Sequence, residues 1–208
     1  MSPGEAAPDF SLPDAYGKIH ARADVAGERG LLVVFACNHC PFVLHLADAL
    51  GDLAREIALQ GVNTVAINSN DLNRYPQDGP EEMKAFAAER RWDFPYLLDE
   101  SQEVAKAHGA ACTPDFFLFR PDGKLFYAGQ FDDSRPRSGI APHGGDLREA
   151  VRRMLEGEEP LARRIRAAAA TSSGSRATSR LSSPESRSLL NTKPPQCRGD
   201  AAAVVFLG

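Results

Sequence analysis

One stretch limits what this chain can fold into, the sequence LLVVFACNHCPFVLHLADAL from Leu31 to Leu50. The continuous apolar run Leu31–Phe35 is typical of a strand that is buried on both faces. Pro41 suits the first turn of a helix, because its missing N–H would have no partner there. Apolar residues then recur on one helical face; they are Val43, Leu46, Leu50, Leu53 and Ile57. The pattern predicts a central strand, a turn with two cysteines and a helix, with Cys37 at the helix N-terminus.

Two cysteines separated by two residues at such a turn indicate thiol chemistry. The thiolate is the nucleophile, and the free N–H groups of a helix N-terminus stabilise it. Cys37 is therefore the expected attacking thiol, and Cys40 can resolve the mixed disulfide that forms. His39, if protonated, would stabilise the Cys37 anion further. A pair of small, buried, inert cysteines is the alternative, but a CxxC that joins a strand to a helix favours a redox function.

Composition places the chain among ordinary globular proteins. It has 208 residues, of which 43% are hydrophobic, and a formal net charge of −4. This charge, without a Lys/Arg cluster that alternates with aromatic residues, gives no indication of nucleic-acid binding. The N-terminus lacks a secretory pattern, and no stretch approaches the ~20 apolar residues of a membrane helix. We therefore expect a cytoplasmic protein, in which cysteines are catalytic or metal-binding more often than structural.

Residues 1–160 form one predicted domain, and residues 161–208 form a low-complexity tail. Eleven of the 42 residues after Arg166 are Ser or Thr, and this part carries five basic and two acidic residues. Such a segment cannot bury enough apolar surface to order itself, so we expect it to be disordered. An interaction tail and a shifted reading frame at the end of the gene are both compatible with this composition.

Strand and turn signals on both sides of the cysteines predict an α/β fold with a hairpin at its N-terminus. Ala7–Lys18, APDFSLPDAYGK, has turn residues between short apolar pieces and predicts a β-hairpin. Val62–Ile67 is a second strand, parallel to Leu31–Phe35 because a helix connects the two. Asp115–Arg120 and Lys124–Ala128 follow as the strands of another hairpin, joined by the turn sequence PDG.

Two loops are expected to approach the cysteines. Thr113-Pro114 precedes a predicted strand, and a cis peptide bond would accommodate the proline there. The polar segment NSNDLNRYPQDG leaves the carboxyl end of a strand, which is the edge where the sites of α/β sheets collect. Asn68, Asn70 and Asp71 could therefore face the cysteines, although an ordinary capping loop is the simpler interpretation.

Taken together, these motifs resemble the thioredoxin-like superfamily. The segments that carry the resemblance are APDFSLPDAYGK, FACNHCPF, CTPDFFLF and PDGK, and they are most similar to its peroxiredoxin-like branch (AhpC/TSA, redoxin) with a CNHCP motif. The resemblance covers residues 3–157 and implies a thioredoxin fold, a central mixed β-sheet flanked by helices. It also implies that Cys37 attacks, that Cys40 resolves and that Pro114 is a cis-proline facing them. Thr113 would then position the substrate chain.

The sequence departs from thioredoxin itself around the two cysteines. Ala36 stands where thioredoxin has Trp, and Asn38-His39 replaces its Gly-Pro dipeptide. A histidine just before the second cysteine resembles the more oxidising thioredoxin-like proteins, so the direction of exchange stays open. The strand before the motif lacks the buried acid of thioredoxin, which leaves the proton-transfer partner unassigned.

Peroxide reduction is the main alternative, because the rest of the chain resembles peroxiredoxins. Their pattern is Pro-x-x-x-Thr-x-x-Cys-Pro, in which the proline and the threonine activate the peroxidatic cysteine. Placing that cysteine at Cys40 puts Val33 at the proline position and Cys37 at the threonine position. Both activating residues are therefore missing, and disulfide exchange is the preferred prediction.

Two other functions, metal delivery and a redox-inert binding domain, stay open. Soft thiolates select copper or zinc, and the side chains that could surround such an ion are Cys37, Cys40, His39 and His45. The CxxC supplies only two ligands, however, and structural zinc needs four. A redox-inert binding domain would require both cysteines to be dispensable.

A third cysteine, Cys112, lies two residues before Pro114 and is a candidate third redox thiol; a small buried residue at the strand entrance is the alternative. The prediction includes no metal and no cofactor beyond the cysteine pair. A protein or small-molecule disulfide would be the substrate, and a cellular thiol reductant would reopen the Cys37–Cys40 disulfide. The oligomeric state does not follow from the sequence.

Overall fold

Strands and helices alternate along the chain in a computed structural model, which describes residues 1–160. The strands are Ser11–Pro13 (β1), Ile19–Ala21 (β2), Gly30–Phe35 (β3), Val62–Asn68 (β4), Tyr96–Leu98 (β5), Asp115–Phe119 (β6) and Leu125–Gly129 (β7). The helices are Arg22–Val25 (α1), Pro41–Ala58 (α2), Pro80–Glu89 (α3), Glu103–His108 (α4) and Gly145–Leu155 (α5). The predicted tail, residues 161–208, lies outside the described residues.

The central sheet has five strands in the order β5-β4-β3-β6-β7. β3 pairs with β4 in parallel, with Val33 opposite Val65, and β4 pairs with β5 in parallel. β3 pairs with β6 antiparallel, with Val33 opposite Phe117, and β6 pairs with β7 antiparallel. The predicted mixed sheet is therefore confirmed, and its central strand is the apolar run before the cysteines.

Alternate residues of β3 pack against different layers, which explains why the run is apolar without interruption. Leu32 and Val34 belong to one buried cluster with residues of α2, α3 and α5. Leu31, Val33 and Phe35 belong to a second cluster with residues of α1 and α4. Helices therefore flank both faces of the sheet.

The predicted face of α2 is buried as a whole; its residues are Val43, Leu46, Leu50, Leu53 and Ile57. The helix ends at Ala58, and Leu59 and Gln60 form the turn that follows. Gly61 closes this turn with a positive φ of 84°, a backbone conformation that favours glycine.

The N-terminal hairpin consists of β1 and β2, which pair antiparallel with Leu12 opposite His20. The side chain of Asp14 organises the turn, since its Oδ1 accepts hydrogen bonds from the N–H groups of Tyr16 and Lys18. The hairpin is confirmed, but its second strand begins at Ile19, just beyond the segment in which the turn signals lie. None of the helices within residues 1–160 has the length and apolar character needed to cross a bilayer.

Candidate active site

Cys37 and Cys40 lie in the turn that joins β3 to α2, and 0% of either residue is exposed. The helix begins at Pro41, so Cys40 is its N-cap residue, with an extended backbone (φ −66°, ψ 121°). The prediction that Cys37 occupies the helix N-terminus is therefore wrong. Asn38 and His39 stay in the preceding turn, and the proline at the first helical position already indicates a cap at Cys40.

The loop before β6 brings a third residue to the two thiols. The Oγ1 atom of Thr113 lies 3.4 Å from the Sγ atom of Cys37. Cys40 Sγ lies 3.3 Å from the carbonyl oxygen of Thr113, to which its thiol form donates a hydrogen bond. The peptide bond between Thr113 and Pro114 is cis, as the sequence predicts. Because β3 and β6 are antiparallel neighbours, the end of one and the start of the other meet at a single edge of the sheet.

The two thiols differ in acidity. The hydrogen bond from the Cys37 thiol lowers the pKa of Cys40 to about 6 against the opposing effect of burial, and Thr113 and two backbone N–H groups in the first turn of α2 add to it. The pKa of Cys37 is raised, first by the hydrogen bond to Cys40, then by burial and by the negative charge of Asp78. The pair therefore keeps its negative charge on Cys40 and its proton on Cys37, as expected when the helix N-terminus faces Cys40.

A buried acid that the sequence analysis did not single out lies beside the cysteine turn. Asp78 ends the short 3₁₀ helix Pro76–Asp78 and is fully buried. Its carboxylate accepts a hydrogen bond of 2.8 Å from the backbone N–H of Asn38 and one of 2.7 Å from Nδ1 of His39. Nδ2 of Asn70 donates a third. This carboxylate therefore holds the two residues that separate the cysteines.

Asparagines in the polar segment after β4 hold Asp78 in place. Nδ2 of Asn68 donates a hydrogen bond of 2.8 Å to the backbone carbonyl of Asp78, and Oδ1 of Asn68 accepts the N–H of Asn70. Both asparagines are fully buried, whereas Asp71 is exposed. Asn68 and Asn70 are thus part of the site, but they reach the cysteine turn through Asp78. The position of this segment at the carboxyl end of β4 was the signal in the sequence. The acid that contacts the cysteine turn is Asp78, the last acid in the segment.

Two aromatic side chains complete the walls of the turn. The hydroxyl of Tyr96 donates a hydrogen bond of 3.0 Å to Oδ1 of Asn38. Burial raises the pKa of Tyr96, and the negative charge of Asp78 adds to this effect, so this group stays a protonated donor. The ring of Tyr75 stacks on the ring of His39, with the centroids 4.8 Å apart and the planes 18° apart.

Two of the remaining residues named from the sequence lie on adjacent elements. Cys112 precedes the cis bond by two residues and is half-buried. Its role as a third redox thiol stays a prediction. His45, on the second turn of α2, lies with its Nε2 atom 3.1 Å from Oγ of Ser134 in the loop before α5.

Within residues 1–160, two groups of side chains have the spacing of metal ligands: Cys37, His39 and Asp78, and Asp132, Asp133 and His143. In the first group the ligand atoms lie within 4.8 Å of one another, but three hydrogen bonds already occupy the Asp78 carboxylate. In the second group, Asp132 accepts hydrogen bonds from Ser134 and from two backbone N–H groups. Both carboxylates are thus used within the protein.

A mixed sheet flanked by helices, with two paired thiols at the end of its central strand, defines a thioredoxin-fold protein. Comparison with known proteins gives the family: residues 3–128 match the AhpC/TSA family, and the chain belongs to it. The peroxiredoxin-like resemblance of the sequence motifs is therefore confirmed.

Relatives within this fold include proteins named for both kinds of thiol chemistry. A crystal structure of an uncharacterized conserved protein from Geobacillus kaustophilus shares 46% identity and a TM-score of 0.75, over 78% of this chain and 87% of that one. Peroxiredoxin Bcp of Escherichia coli K12 is 28% identical over 145 residues, which are 64% of this chain and 86% of Bcp. The thiol-disulfide oxidoreductase ResA of Geobacillus thermodenitrificans is 29% identical over 124 residues, 59% of this chain and 66% of ResA. The chain spans 65% of the length of two Mycobacterium tuberculosis relatives, at 31% identity.

Proposed function

We propose that this chain is a thiol–disulfide oxidoreductase that exchanges disulfides through Cys37 and Cys40. The observation that carries the proposal is that both sulfur atoms contact one residue, Thr113, one at its hydroxyl and the other at its carbonyl. The two thiols are thereby held in a single short turn, where a disulfide can close with little backbone movement. The relative ResA, which is named a thiol-disulfide oxidoreductase, adds support.

The proposal gives the first attack to Cys40, in place of the order expected from the sequence. Cys40 is the helix N-cap, and the hydrogen bonds to its sulfur lower its pKa, which favours the thiolate. Its sulfur attacks the substrate disulfide, forms a mixed disulfide and releases one substrate thiolate. Cys37 then attacks the Cys40 sulfur and releases the second thiolate. The substrate gains two electrons, and the pair becomes a Cys37–Cys40 disulfide.

The electron balance of this reaction determines which partners it needs. The substrate is a protein or small-molecule disulfide, and a cellular thiol reductant must reopen the Cys37–Cys40 bond before the next cycle. The backbone on either side of the bond between Thr113 and Pro114 would position the substrate chain. The proposal keeps the expected cytosolic location, where thiol reductants are abundant, and requires no cofactor beyond the two cysteines.

Peroxide reduction is the second candidate, because the AhpC/TSA family matches and the relative Bcp is named a peroxiredoxin. A low-pKa cysteine at a helix N-cap would also suit attack on a peroxide. Against it, Val33 and Cys37 stand where the peroxiredoxin pattern has its activating proline and threonine.

Trapping the intermediate tests the proposal. The reduced protein is mixed with glutathione disulfide, and the products are identified by mass spectrometry after alkylation. The wild type is expected to form the Cys37–Cys40 disulfide and to release two glutathione thiols. Cys37→Ser should stop at a glutathione adduct on Cys40, and Cys40→Ser should react much more slowly.

Cys112→Ser is the matched control and should behave like the wild type. A parallel reaction with hydrogen peroxide tests the alternative function. If Cys40 becomes a sulfenic acid with peroxide while glutathione disulfide leaves the pair reduced, the protein is a peroxidase and the exchange proposal is wrong. If Cys40→Ser accumulates the adduct on Cys37, exchange stands but the order of attack is the one expected from the sequence.

A further inference from the structure

The Asp78 carboxylate settles which nitrogen of His39 carries a proton. A carboxylate that accepts hydrogen bonds from Asn38 and Asn70 is an acceptor toward His39 as well, so Nδ1 of His39 must be the donor. In the neutral ring, Nε2 is then a proton acceptor. This Nε2 atom is buried and has no hydrogen-bond partner within residues 1–160. A buried acceptor without a partner is unfavourable for stability, so the presence of this Nε2 atom indicates a functional role.

This imidazole lies next to the cysteine that keeps its proton. A ring nitrogen of His39, a carboxylate oxygen of Asp78 and the Sγ atom of Cys37 all lie within 4.8 Å of one another. The imidazole ring therefore lies close enough to the Cys37 thiol for a proton to pass to it through one water molecule. The stacked ring of Tyr75 and the hydrogen bond from Asp78 fix the orientation of the imidazole.

We propose that His39 accepts the proton of Cys37 in the second half of the exchange reaction, and that Asp78 is the positioning residue that holds His39 in the tautomer needed for this step. The inference rests on the proposed function. It supplies the proton-transfer partner that the strand before the motif does not provide. The acid comes instead from the segment after β4, forty-one residues beyond Cys37 in the chain.

The proposed step balances as follows. After the first attack, Cys40 is bonded to the substrate sulfur and no longer carries a charge. The Cys37 thiol gives its proton to Nε2 of His39, and the imidazolium that forms is stabilised by the Asp78 carboxylate. The Cys37 sulfur attacks the Cys40 sulfur, the bond between Cys40 and the substrate breaks, and the leaving substrate thiolate takes the proton from His39. Cysteine sulfur is oxidised by two electrons, and the substrate disulfide is reduced by two.

The other ionisable groups around His39 and Cys37 do not compete for this role. The hydroxyl of Tyr96 faces Asn38 and keeps its proton, because burial raises its pKa. Tyr75 presents the face of its ring to His39. The guanidinium carbon of Arg74 lies 5.5 Å from the centroid of the Tyr75 ring. Cys40 is consumed in the mixed disulfide at this stage of the reaction.

An aromatic disulfide separates the two halves of the reaction. With equimolar dithiobis(nitrobenzoate), the first attack releases one coloured thiolate and resolution by Cys37 releases the second, so stopped-flow absorbance records both rates. All proteins carry Cys112→Ser and Cys197→Ser, so that only the pair reacts. Asp78→Asn and His39→Gln are expected to slow the second phase by about tenfold to 100-fold and to leave the first phase within about twofold. Asp71→Asn, an exposed acid of the same segment, is the matched control.

The pH dependence distinguishes proton transfer from a structural role. In the variants, the second phase should rise about tenfold per pH unit up to alkaline pH, because only solvent can remove the Cys37 proton. In the wild type, the rate of the second phase should stop rising as the pH increases. The double variant should be no slower than either single variant, because the two residues act as one unit.

The possible failures are distinguishable. If the wild type releases only one thiolate, the exchange function itself is wrong. If the wild type releases two but His39→Gln keeps the wild-type second phase and pH profile, the proton-transfer inference is wrong. It is also overturned if both phases slow equally in His39→Gln and Asp78→Asn, since that result shows general distortion of the turn. His39→Gln keeps the test decisive if Asp78→Asn does not fold, because His39 is partly exposed, with 15% of its side chain accessible.

Discussion

The Sγ atom of Cys40 lies 3.3 Å from the carbonyl oxygen of Thr113, a residue 73 positions further along the chain, and its thiol form donates a hydrogen bond to that oxygen. The hydroxyl of the same threonine lies 3.4 Å from the Sγ atom of Cys37. One residue of the loop before β6 therefore contacts both thiols. The antiparallel pairing of β3 with β6 makes this possible, because it brings the end of one strand to the start of the other.

Removal of the Thr113 hydroxyl should raise the pKa of Cys40. That hydroxyl is one of the groups that hold this pKa at about 6, and a hydrogen bond to a charged group is worth about 1.5 kcal/mol or more. Thr113→Val should therefore lower the rate of alkylation by iodoacetamide at pH 6 by about tenfold. The rate is measured across pH 5–9, and its midpoint should move upward.

Thr64→Val is the matched control for this experiment, because the hydroxyl of Thr64 is buried without a hydrogen-bond partner within residues 1–160. Its alkylation profile should equal that of the wild type. An unchanged midpoint in Thr113→Val would mean that the hydrogen bond from Cys37 and the helix N-terminus set the acidity of Cys40 without the Thr113 hydroxyl.

Stability should depend on pH through His108, which is buried against three phenylalanine rings. Burial lowers its pKa from 6.5 to about 4, so the folded state favours the neutral ring. The stability from this group is fully present above pH 6.5 and is lost as the pH falls to about 4. The loss can reach about 3 kcal/mol. Urea unfolding at pH 7 and at pH 4.5 measures it.

His108→Leu should lose less unfolding free energy than the wild type between these two pH values, because it has no ring to protonate. His143→Gln replaces an exposed histidine and should keep the wild-type difference. If His108→Leu and the wild type lose the same amount, other groups account for the acid sensitivity and the assignment to His108 is wrong.

Trp92 should be a major contributor to the packing between α2 and α3. It is the only tryptophan, its Nε1 donates a hydrogen bond of 2.9 Å to the carbonyl of Ala47, and its ring packs at 5.1 Å from Phe86. Trp92→Phe should lower the free energy of unfolding by about 1–3 kcal/mol, through the lost hydrogen bond and the space left behind. Circular dichroism in urea measures this value. Tyr16→Phe, at an exposed ring, should cost almost nothing.

The sequence was informative wherever the structure depends on local pattern. The buried strand β3, the apolar face of α2, the N-terminal hairpin and the cis bond before Pro114 all follow from periodicity or from proline chemistry within a short window. The start of α2 follows from Pro41, which occupies the first helical position and makes Cys40 the cap. The prediction for Cys37 failed because Asn38 and His39 separate Cys37 from that cap.

The polar surroundings of the cysteines could not be predicted in the same way. Asp78 and His39 are 39 residues apart, and their contact depends on how the segment after β4 folds back over the cysteine turn. No periodicity marks a residue at the end of a short 3₁₀ helix as buried. Asn68 and Asn70 were recognisable as candidates because they follow a strand, but their partner was not.

The redox potential of the Cys37–Cys40 pair tests the central claim most directly. The protein is equilibrated in glutathione buffers of different ratio, and the alkylated thiols are counted by mass spectrometry. A single reversible two-electron couple between about −270 and −120 mV, the span of thioredoxin-like proteins, is the predicted result, and its value separates a reductant from an oxidant. The account is contradicted if no Cys37–Cys40 disulfide forms at any glutathione ratio.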